Sequence, residues 1–516
     1  MLSTEIKSKI NKLWDKFWAR GIANPLVAIE QISYLLFMRR LEEIDNRKIL
    51  EKKKTKERYI SIFAGKQEYK WSEFKKLKPL AMLTLVSKKV FPFIKKLNTQ
   101  DQAFARHMLN AVFVISNPLL LKEAIDAIDE IYDEILKQQD AGQSFQDTQG
   151  DMYEYLLSAT NQAGKNGQFR TPRHIIQVIS ELIDPDWNDK ICDLTSGTGG
   201  FLLGAYQHIL TKNTSKKYLQ VDENGFSRGI LGDKITGNAI WTKLKENTFF
   251  GFDNDQSMVR IGLMNLMLHG ISTPRIEEMD TLSSQYDKFE TDEEYTVIMA
   301  NPPFKGLVDK TGKSKRLRVD TNQSELLFID RIIHMLKVGG KAALIIPEGV
   351  LYGGGKAYLQ TRELLLKDCN LNAVISLPSG VFRPYTNVKT AILLFTKKKL
   401  NSPKFNTQQV WFYDLRSDGY SLDDNRKRLN DYPLPLLVKD WENKPLANNK
   451  NKKARHFYVS LKDIQENAFD LSINRYKEFE YDDKEYVPPQ DLLTTVLEYE
   501  EKIIGELKEL ADLIKK

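Results

Sequence analysis

From about residue 151 onward, short β-branched, aromatic and aliphatic runs alternate with stretches of helical period. This rhythm constrains the fold more than any other feature of the chain. The runs are ICDL (191–194), TFFGF (248–252), TVIMA (296–300), AALII (342–346), NAVISL (372–377) and AILLF (391–395). Strands spaced by helices imply a mainly parallel sheet covered on both faces. We therefore expect an α/β, doubly wound core over residues 151–478. The polar insertion 211–246 interrupts it with no clear period, and from about 440 the Asn/Lys-rich ENKPLANNKNKKAR reads as exposed loop.

The first 145 residues read as helices. Ile6, Ile10, Leu13, Trp14, Phe17 and Trp18 recur at 3.6-residue spacing and make one apolar stripe. Gly21 closes that helix, and Asn24-Pro25 opens a second through Ile29, Ile32, Leu36 and Leu41. Helical patterns return at 101–139, and the polar DAGQSFQDTQG (140–150) marks the boundary with the core. The tail 479–516 is helical again. There Leu493, Leu497, Ile504, Leu507 and Ile514 form a seam near heptad spacing, a stripe a lone helix cannot bury against itself.

Composition removes several function classes. Two cysteines in 516 residues, Cys192 and Cys369, exclude a disulfide scaffold and are too few for a zinc knuckle. Six scattered histidines give no metal-ligand spacing, so no metal is expected; His174 and His269 read as helix-end or packing residues. No window approaches 18 consecutive apolar residues, and MLSTEIKSKINKLWDKFW has no signal-peptide core. The expectation is a soluble, cytoplasmic protein without a membrane span. A net charge of +7 permits an acidic partner without demanding one. Between Arg47 and Arg58, seven basic residues face only Glu51 and Glu57; a solvated helix face is the plainer reading, a phosphate-contacting surface the alternative. The same two readings apply to Lys305, Lys310, Lys313, Lys315, Arg316 and Arg318. Gly306 to Ser314 misses the P-loop spacing by one residue.

Two motifs carry chemistry. Asp193-Leu-Thr195-Ser196-Gly197-Thr-Gly199-Gly200-Phe201 follows a strand and opens a helix, where glycines allow close backbone approach and the helix start offers free N–H groups. It is not the dinucleotide fingerprint, because position 202 is Leu and no acid follows about 20 residues on. The next strand-end acid is Asp253, placed to accept hydrogen bonds from two ribose hydroxyls. That suits an adenosine ligand lacking phosphates, although a plain strand–turn–helix fits the motif as well.

Asn301-Pro302-Pro303-Phe304 follows TVIMA without a gap. An exocyclic amine on an aromatic ring is a poor nucleophile, because its lone pair is delocalised. An Asn oxygen and a proline carbonyl can each accept one N–H and favour a pyramidal nitrogen. Paired prolines restrict the backbone that presents them, and the aromatic side chain can stack on an extruded base. Upstream, Gly167-Gln168-Phe169-Arg170-Thr171-Pro172-Arg173-His174 reads by itself as a turn into a helix, with Thr171 as N-cap and Pro172 at the first helical position.

On these residues the chain resembles, along essentially its whole length, the modification (methylase) subunits of type I restriction–modification systems, which are adenine-N6 DNA methyltransferases. The resemblance implies a Rossmann-like methyltransferase sheet core with an all-helical N-terminal domain and a C-terminal helical tail, binding S-adenosyl-L-methionine. By this likeness GQFRTPR contributes Gln168, Phe169, Arg170, Thr171, Pro172 and Arg173 beside the methionine end of the cofactor. DLTSGTGGF is similar to the cofactor loop, contributing Asp193, Thr195, Ser196, Gly197 and Gly199; Leu194 departs from the family's usual Pro. Asp253 would meet the ribose and Asp280, in EMDTL, the adenine ring. Asn301, Pro302, Pro303 and Phe304 would be catalytic, with Phe382 of PSGVF (378–382) a weaker candidate near the flipped base. The implied partners are duplex DNA, a separate specificity subunit, a restriction (motor) subunit and a second methylase copy. About 120 loop-rich residues follow AILLF, with no visible module to read bases, and the terminal helix is assigned to partner docking. A stand-alone methyltransferase acting on RNA or on a glutamine amide would suit the same tetrapeptide. A non-catalytic scaffold is opposed by the intact Asp193, Asp253, Asn301 and Phe304.

Overall fold

The computed structural model describes residues 2–55, 58–96, 102–139, 150–157, 171–271, 273–289, 294–399, 403–444, 451–478 and 488–514. Most of the expected boundary at 140–150 lies outside these residues. Met1–Tyr476 form one compact unit and Lys477–Lys516 a second.

In chain order the strands are β1 (Ile191–Asp193), a short hairpin β2 (Gln220–Val221) and β3 (Ser227–Arg228), β4 (Phe249–Asp253), β5 (Arg275–Glu278), β6 (Tyr295–Ala300), β7 (Leu336–Pro347), β8 (Cys369–Ser376), β9 (Thr390–Lys397), β10 (Gln409–Asp414) and β11 (His456–Ser460). Nine of them form one sheet in the order β11-β10-β8-β9-β7-β6-β1-β4-β5. The pairs β7–β6, β6–β1, β1–β4 and β4–β5 are parallel; β9 runs antiparallel between β7 and β8. The two-residue alternation of a strand divides the core. Val297 and Met299 join a cluster that includes the N-terminal helices, while Ile298 and Ala300 join the cluster on the opposite face. All six expected strands are present.

The segment beyond AILLF is not the loop-rich stretch its sequence suggested. β10 pairs in parallel with β8, and β11 closes the edge antiparallel to it. QVWFYD and HFYVS are aromatic-rich enough to bury Val410, Trp411, Phe412, Phe457 and Val459, but the polar stretch between them hid the pattern. Similarly, 211–246 holds the β2–β3 hairpin and the helix Asn238–Glu246.

In the N-terminal region, helix Thr4–Ala19 starts at Ser3, whose hydroxyl oxygen accepts the Ile6 N–H, and buries Ile6, Ile10, Leu13 and Phe17. Trp18 is excluded from the stripe and stands exposed. Helix Pro25–Thr55 packs on helix Gln256–Leu268, where Arg260 Nε donates to Glu30 Oε1 at 2.5 Å. The basic end of Pro25–Thr55 is solvent-facing at Arg47, Lys48, Lys53 and Lys54. In the second unit, Pro489–Ile514 is a single helix with Leu493, Leu497, Ile504, Leu507 and Ile514 all more than half exposed.

Candidate active site

The chain winds from β1 through β4 to β5 on one side, then returns to place β6 on the other side of β1. In open α/β sheets the carboxyl edge at such a reversal is where ligands bind. Register shows what collects there. Asp193 is level with Gly251, and Cys192 with Ile298. Asp253 and Asn301 therefore each stand two residues, roughly 6–7 Å, past the level of Asp193. They flank the turn that leaves β1.

That turn is tied down from within. The Asp193 carboxylate is buried, and its Oδ1 accepts the Thr195 N–H at 3.0 Å and the hydroxyl at 3.5 Å. Burial, reinforced by the Asp253 charge, pushes Asp193 up to about 8. Asp193 shapes the turn instead of facing outward. Ser196 N–H donates to the Phe252 carbonyl (2.8 Å), and Gly197 N–H to Asp253 Oδ2 (2.8 Å). Gly197 and Gly199 have φ of 49° and 76°, which other residues resist. A Cβ on Gly197 would meet nothing within 4 Å, so its ligand side is open, whereas one on Gly262 would lie 2.9 Å from the Gly197 carbonyl. Helix Gln256–Leu268 thus comes close to the turn only because Gly262 lacks a side chain.

Asp253 accepts a second backbone bond, from Asp255 N–H to Oδ1 at 2.9 Å, and burial holds its carboxyl above the usual range. Each oxygen keeps a lone pair for a further donor. Asp280 stands two residues past the level of Asp253, exposed, its Oδ1 accepting the Leu282 N–H (2.9 Å).

Asn301 emerges from β6 with its amide already half engaged. Nδ2 donates to Thr171 Oγ1 at 2.9 Å, while Oδ1 is buried and has no hydrogen-bond partner among the described residues. Pro302 is buried and Pro303 exposed. Phe304, only 5% exposed, packs edge-to-face on Phe382 with ring centres 5.5 Å apart. PSGVF is thereby brought to the tetrapeptide.

The segment before helix Arg173–Ile183 differs from its sequence reading. Pro172 occupies the cap position, no side chain caps the helix, and the Thr171 hydroxyl is turned to Asn301. Arg173 is drawn to buried acids, with Nε on Glu154 Oε2 (3.0 Å) and Nη2 on Asp151 Oδ1 (3.3 Å). Gln168, Phe169 and Arg170 lie outside the described residues. His174 is a packing residue, hydrogen-bonded to Asp418 at 2.8 Å and stacked on Tyr420. His269 follows helix Gln256–Leu268, its Nδ1 2.9 Å from the Asn265 carbonyl oxygen.

Sequence reasoning missed Asn265. Fully buried, it donates from Nδ2 to the Thr198 carbonyl of the turn and to Glu154 Oε1, both at 2.8 Å. The signal was present: one amide inside the apolar run IGLMNLML. The basic loop after the tetrapeptide divides into two kinds of cation. Arg318 forks onto the buried Asp330 and Asp368, and Lys313 Nζ donates to the Thr321 carbonyl, while Lys305, Lys310 and Lys315 face solvent.

Two known families match most of the chain. The N-6 DNA methylase family profile matches residues 144–485, and that of the HsdM N-terminal domain matches residues 6–128. The chain belongs to the N-6 DNA methylase family. As such it is an adenine-specific DNA methyltransferase. It is 27% identical to the type I restriction enzyme EcoEI methylase subunit of Escherichia coli, over 96% of this chain and 94% of that one. Among solved structures, a chain of a type I restriction–modification system covers 99% of the methylase and 98% of itself at TM-score 0.65 and 24% identity. A type I methyltransferase subunit from Streptococcus thermophilus covers 93% and 100% at TM-score 0.65 and 18% identity. These two likenesses concern the fold. No helix among the described residues is long and apolar enough to cross a membrane.

Proposed function

We propose that the methylase takes its methyl group from S-adenosyl-L-methionine, held at the carboxyl edge of β1 and β4, and delivers it to N6 of an adenine turned out of duplex DNA. It does so as the modification subunit of a type I restriction–modification complex. The observation that carries this reading is the buried Asn301 Oδ1, an acceptor with no partner among the described residues, at the reversal of the sheet.

The residues fit the donor. A turn free of cations, open at Gly197, suits an adenosine without phosphates, and Asp253 has lone pairs for ribose hydroxyls. Asp280, in the loop just after β5, is assigned to the adenine ring, and Thr195, Ser196 and Gly199 complete the turn. Gln168, Phe169, Arg170 and Pro172 are assigned to the methionine end. When bound, S-adenosylmethionine supplies a methyl group already activated on a sulfonium.

The chain's own task is orientation. Asn301 Oδ1 accepts one N6 hydrogen and the Pro302 carbonyl the other, which frees the lone pair for attack. Pro303 stiffens that backbone, and Phe304 with Phe382 receives the base. Holding two reactants in register contributes on the order of 7–11 kcal/mol, and extruding the base costs a few kcal/mol. Lys305, Lys310 and Lys315 face solvent in the loop that follows the tetrapeptide and would meet phosphates.

Residues after 397 extend the same sheet through β10 and β11, and the unit ends at Tyr476. This supports a base reader on a separate specificity subunit. We assign Pro489–Ile514 to that contact, within a cytoplasmic complex that also holds a restriction (motor) subunit and a second methylase copy. The test is nucleoside analysis of DNA treated with the purified complex and labelled cofactor. N6-methyladenine is expected; label in cytosine or protein would overturn the reading.

A further inference from the structure

We propose that Thr171 is a positioning residue for the catalytic amide, holding the plane of the Asn301 side chain through its Nδ2 end. This role is distinct from the cofactor contact assigned to the surrounding segment, and it rests on the adenine-N6 reading above. An Asn amide has oxygen and nitrogen ends of nearly equal size, and its terminal torsion is broad. Only the oxygen end can accept from an amine; the NH2 end would set donor against donor. Something must therefore hold the amide plane. Thr171 Oγ1 takes the Nδ2 end at 2.9 Å, and Oδ1, turned away from it, is buried without a partner among the described residues.

The helix start on which Thr171 stands is anchored from two sides. Thr171 lies two residues before the start of helix Arg173–Ile183. Arg173 fixes that start to Glu154 and Asp151, and His174 fixes it to Asp418, which also takes Arg426; all three carboxylates are buried. Glu154 in turn holds Asn265, and Asn265 holds the Thr198 carbonyl of the cofactor turn. One buried acid thus sets the register between the hydroxyl that holds Asn301 and the turn assigned to the methyl donor. A hydroxyl mounted this way restrains the amide, and displacing a reacting group by about 1 Å can cost on the order of 100-fold in rate.

The experiment uses the complex purified from its host, with Thr171→Val, Thr171→Ser, Asn301→Ala and the double variant Thr171→Val/Asn301→Ala. Calorimetry gives S-adenosylmethionine affinity, and single-turnover rates at saturating cofactor give the methyl-transfer step. Thr171→Val should slow that step about 10- to 100-fold, as misplacement of a reacting group does, with cofactor affinity within about two-fold. Thr171→Ser should stay within about three-fold of wild type. In the Asn301→Ala background, Thr171→Val should cost nothing further. A tenfold loss of cofactor affinity with an unchanged single-turnover rate would make Thr171 a cofactor residue and overturn the proposal. So would losses that multiply in the double variant. If the valine variant melts well below wild type, Thr171→Ala is held to the same outcomes. Full activity of Asn301→Ala would instead overturn the underlying assignment of the tetrapeptide, and the proposal with it.

Discussion

Replacing Asp253 by Asn keeps the size of the side chain and removes its charge, which isolates what the carboxylate does. In the wild type its two oxygens accept Gly197 N–H at 2.8 Å and Asp255 N–H at 2.9 Å, and each has a lone pair left for a ribose hydroxyl. Asn has one oxygen, so one backbone N–H must face an NH2 group and one ribose hydroxyl loses its acceptor. Hydrogen bonds to charged groups contribute about 1.5–3 kcal/mol each. Cofactor affinity should therefore fall roughly 10- to 150-fold, measured by calorimetric titration with S-adenosylmethionine. A pH series adds a second reading. Burial raises the Asp253 carboxyl above the ordinary range, so it takes up its proton at a higher pH than a free aspartate. The acceptor is the ionised form, so wild-type affinity should weaken as pH falls through that raised value, and the Asn variant should lose this component. The same shift means that ionising Asp253 costs the folded state more than the unfolded chain, so its contribution to stability declines as pH rises from the ordinary aspartate range through the raised value. Unchanged affinity in the variant, or a variant with the wild-type pH dependence, would refute the ribose assignment.

Arg318→Met removes the guanidinium shared by the buried Asp330 and Asp368; thermal unfolding should show a loss of about 3–5 kcal/mol, and a loss below about 1 kcal/mol would show that the fork is not structural. Gly262→Ala places a methyl 2.8 Å from Ile276 Cδ1 and 2.9 Å from the Gly197 carbonyl; calorimetry should find weaker cofactor binding, with overpacking of about 1–3 kcal/mol, and unaltered binding would detach the turn from the site. Truncation before Pro488 removes only residues of the second unit; cofactor affinity should be kept and assembly with the specificity subunit lost on size-exclusion chromatography, and continued assembly would withdraw the docking role from Pro489–Ile514.

The six strands were legible because each carries a short apolar run and most are bounded by helices; AILLF is not, since β8, β9 and β10 follow one another without a helix among the described residues, but its unbroken apolar run still marked it. β10 and β11 were not legible, because about 40 mostly polar residues, with a helix among them, separate their aromatic runs and β11 closes the edge from far along the chain. Within the site, the motifs announced Gly197, Asp253 and Asn301 through residue type alone. What sequence could not supply was direction. Thr171 looked like a helix cap, because a Thr before Pro usually is one, yet its hydroxyl is taken by an amide 130 positions away. Arg173, expected beside the methionine end by resemblance, has its guanidinium on the buried Asp151 and Glu154, acids that no motif announced. Asn265 was readable in principle: a lone amide inside an apolar helix must find partners, and here it found the turn.

On the proposed function, Asn301 performs the chemistry without holding the donor. Methyl transfer into duplex DNA and S-adenosylmethionine affinity should be measured side by side on the purified complex carrying Asn301→Ala. N6-methyladenine formation should fall to a small residual rate, still measurable in single turnover, while cofactor affinity stays within a few-fold of wild type. N6-methyladenine formed at the wild-type rate, or transfer and cofactor binding lost together, would contradict this role.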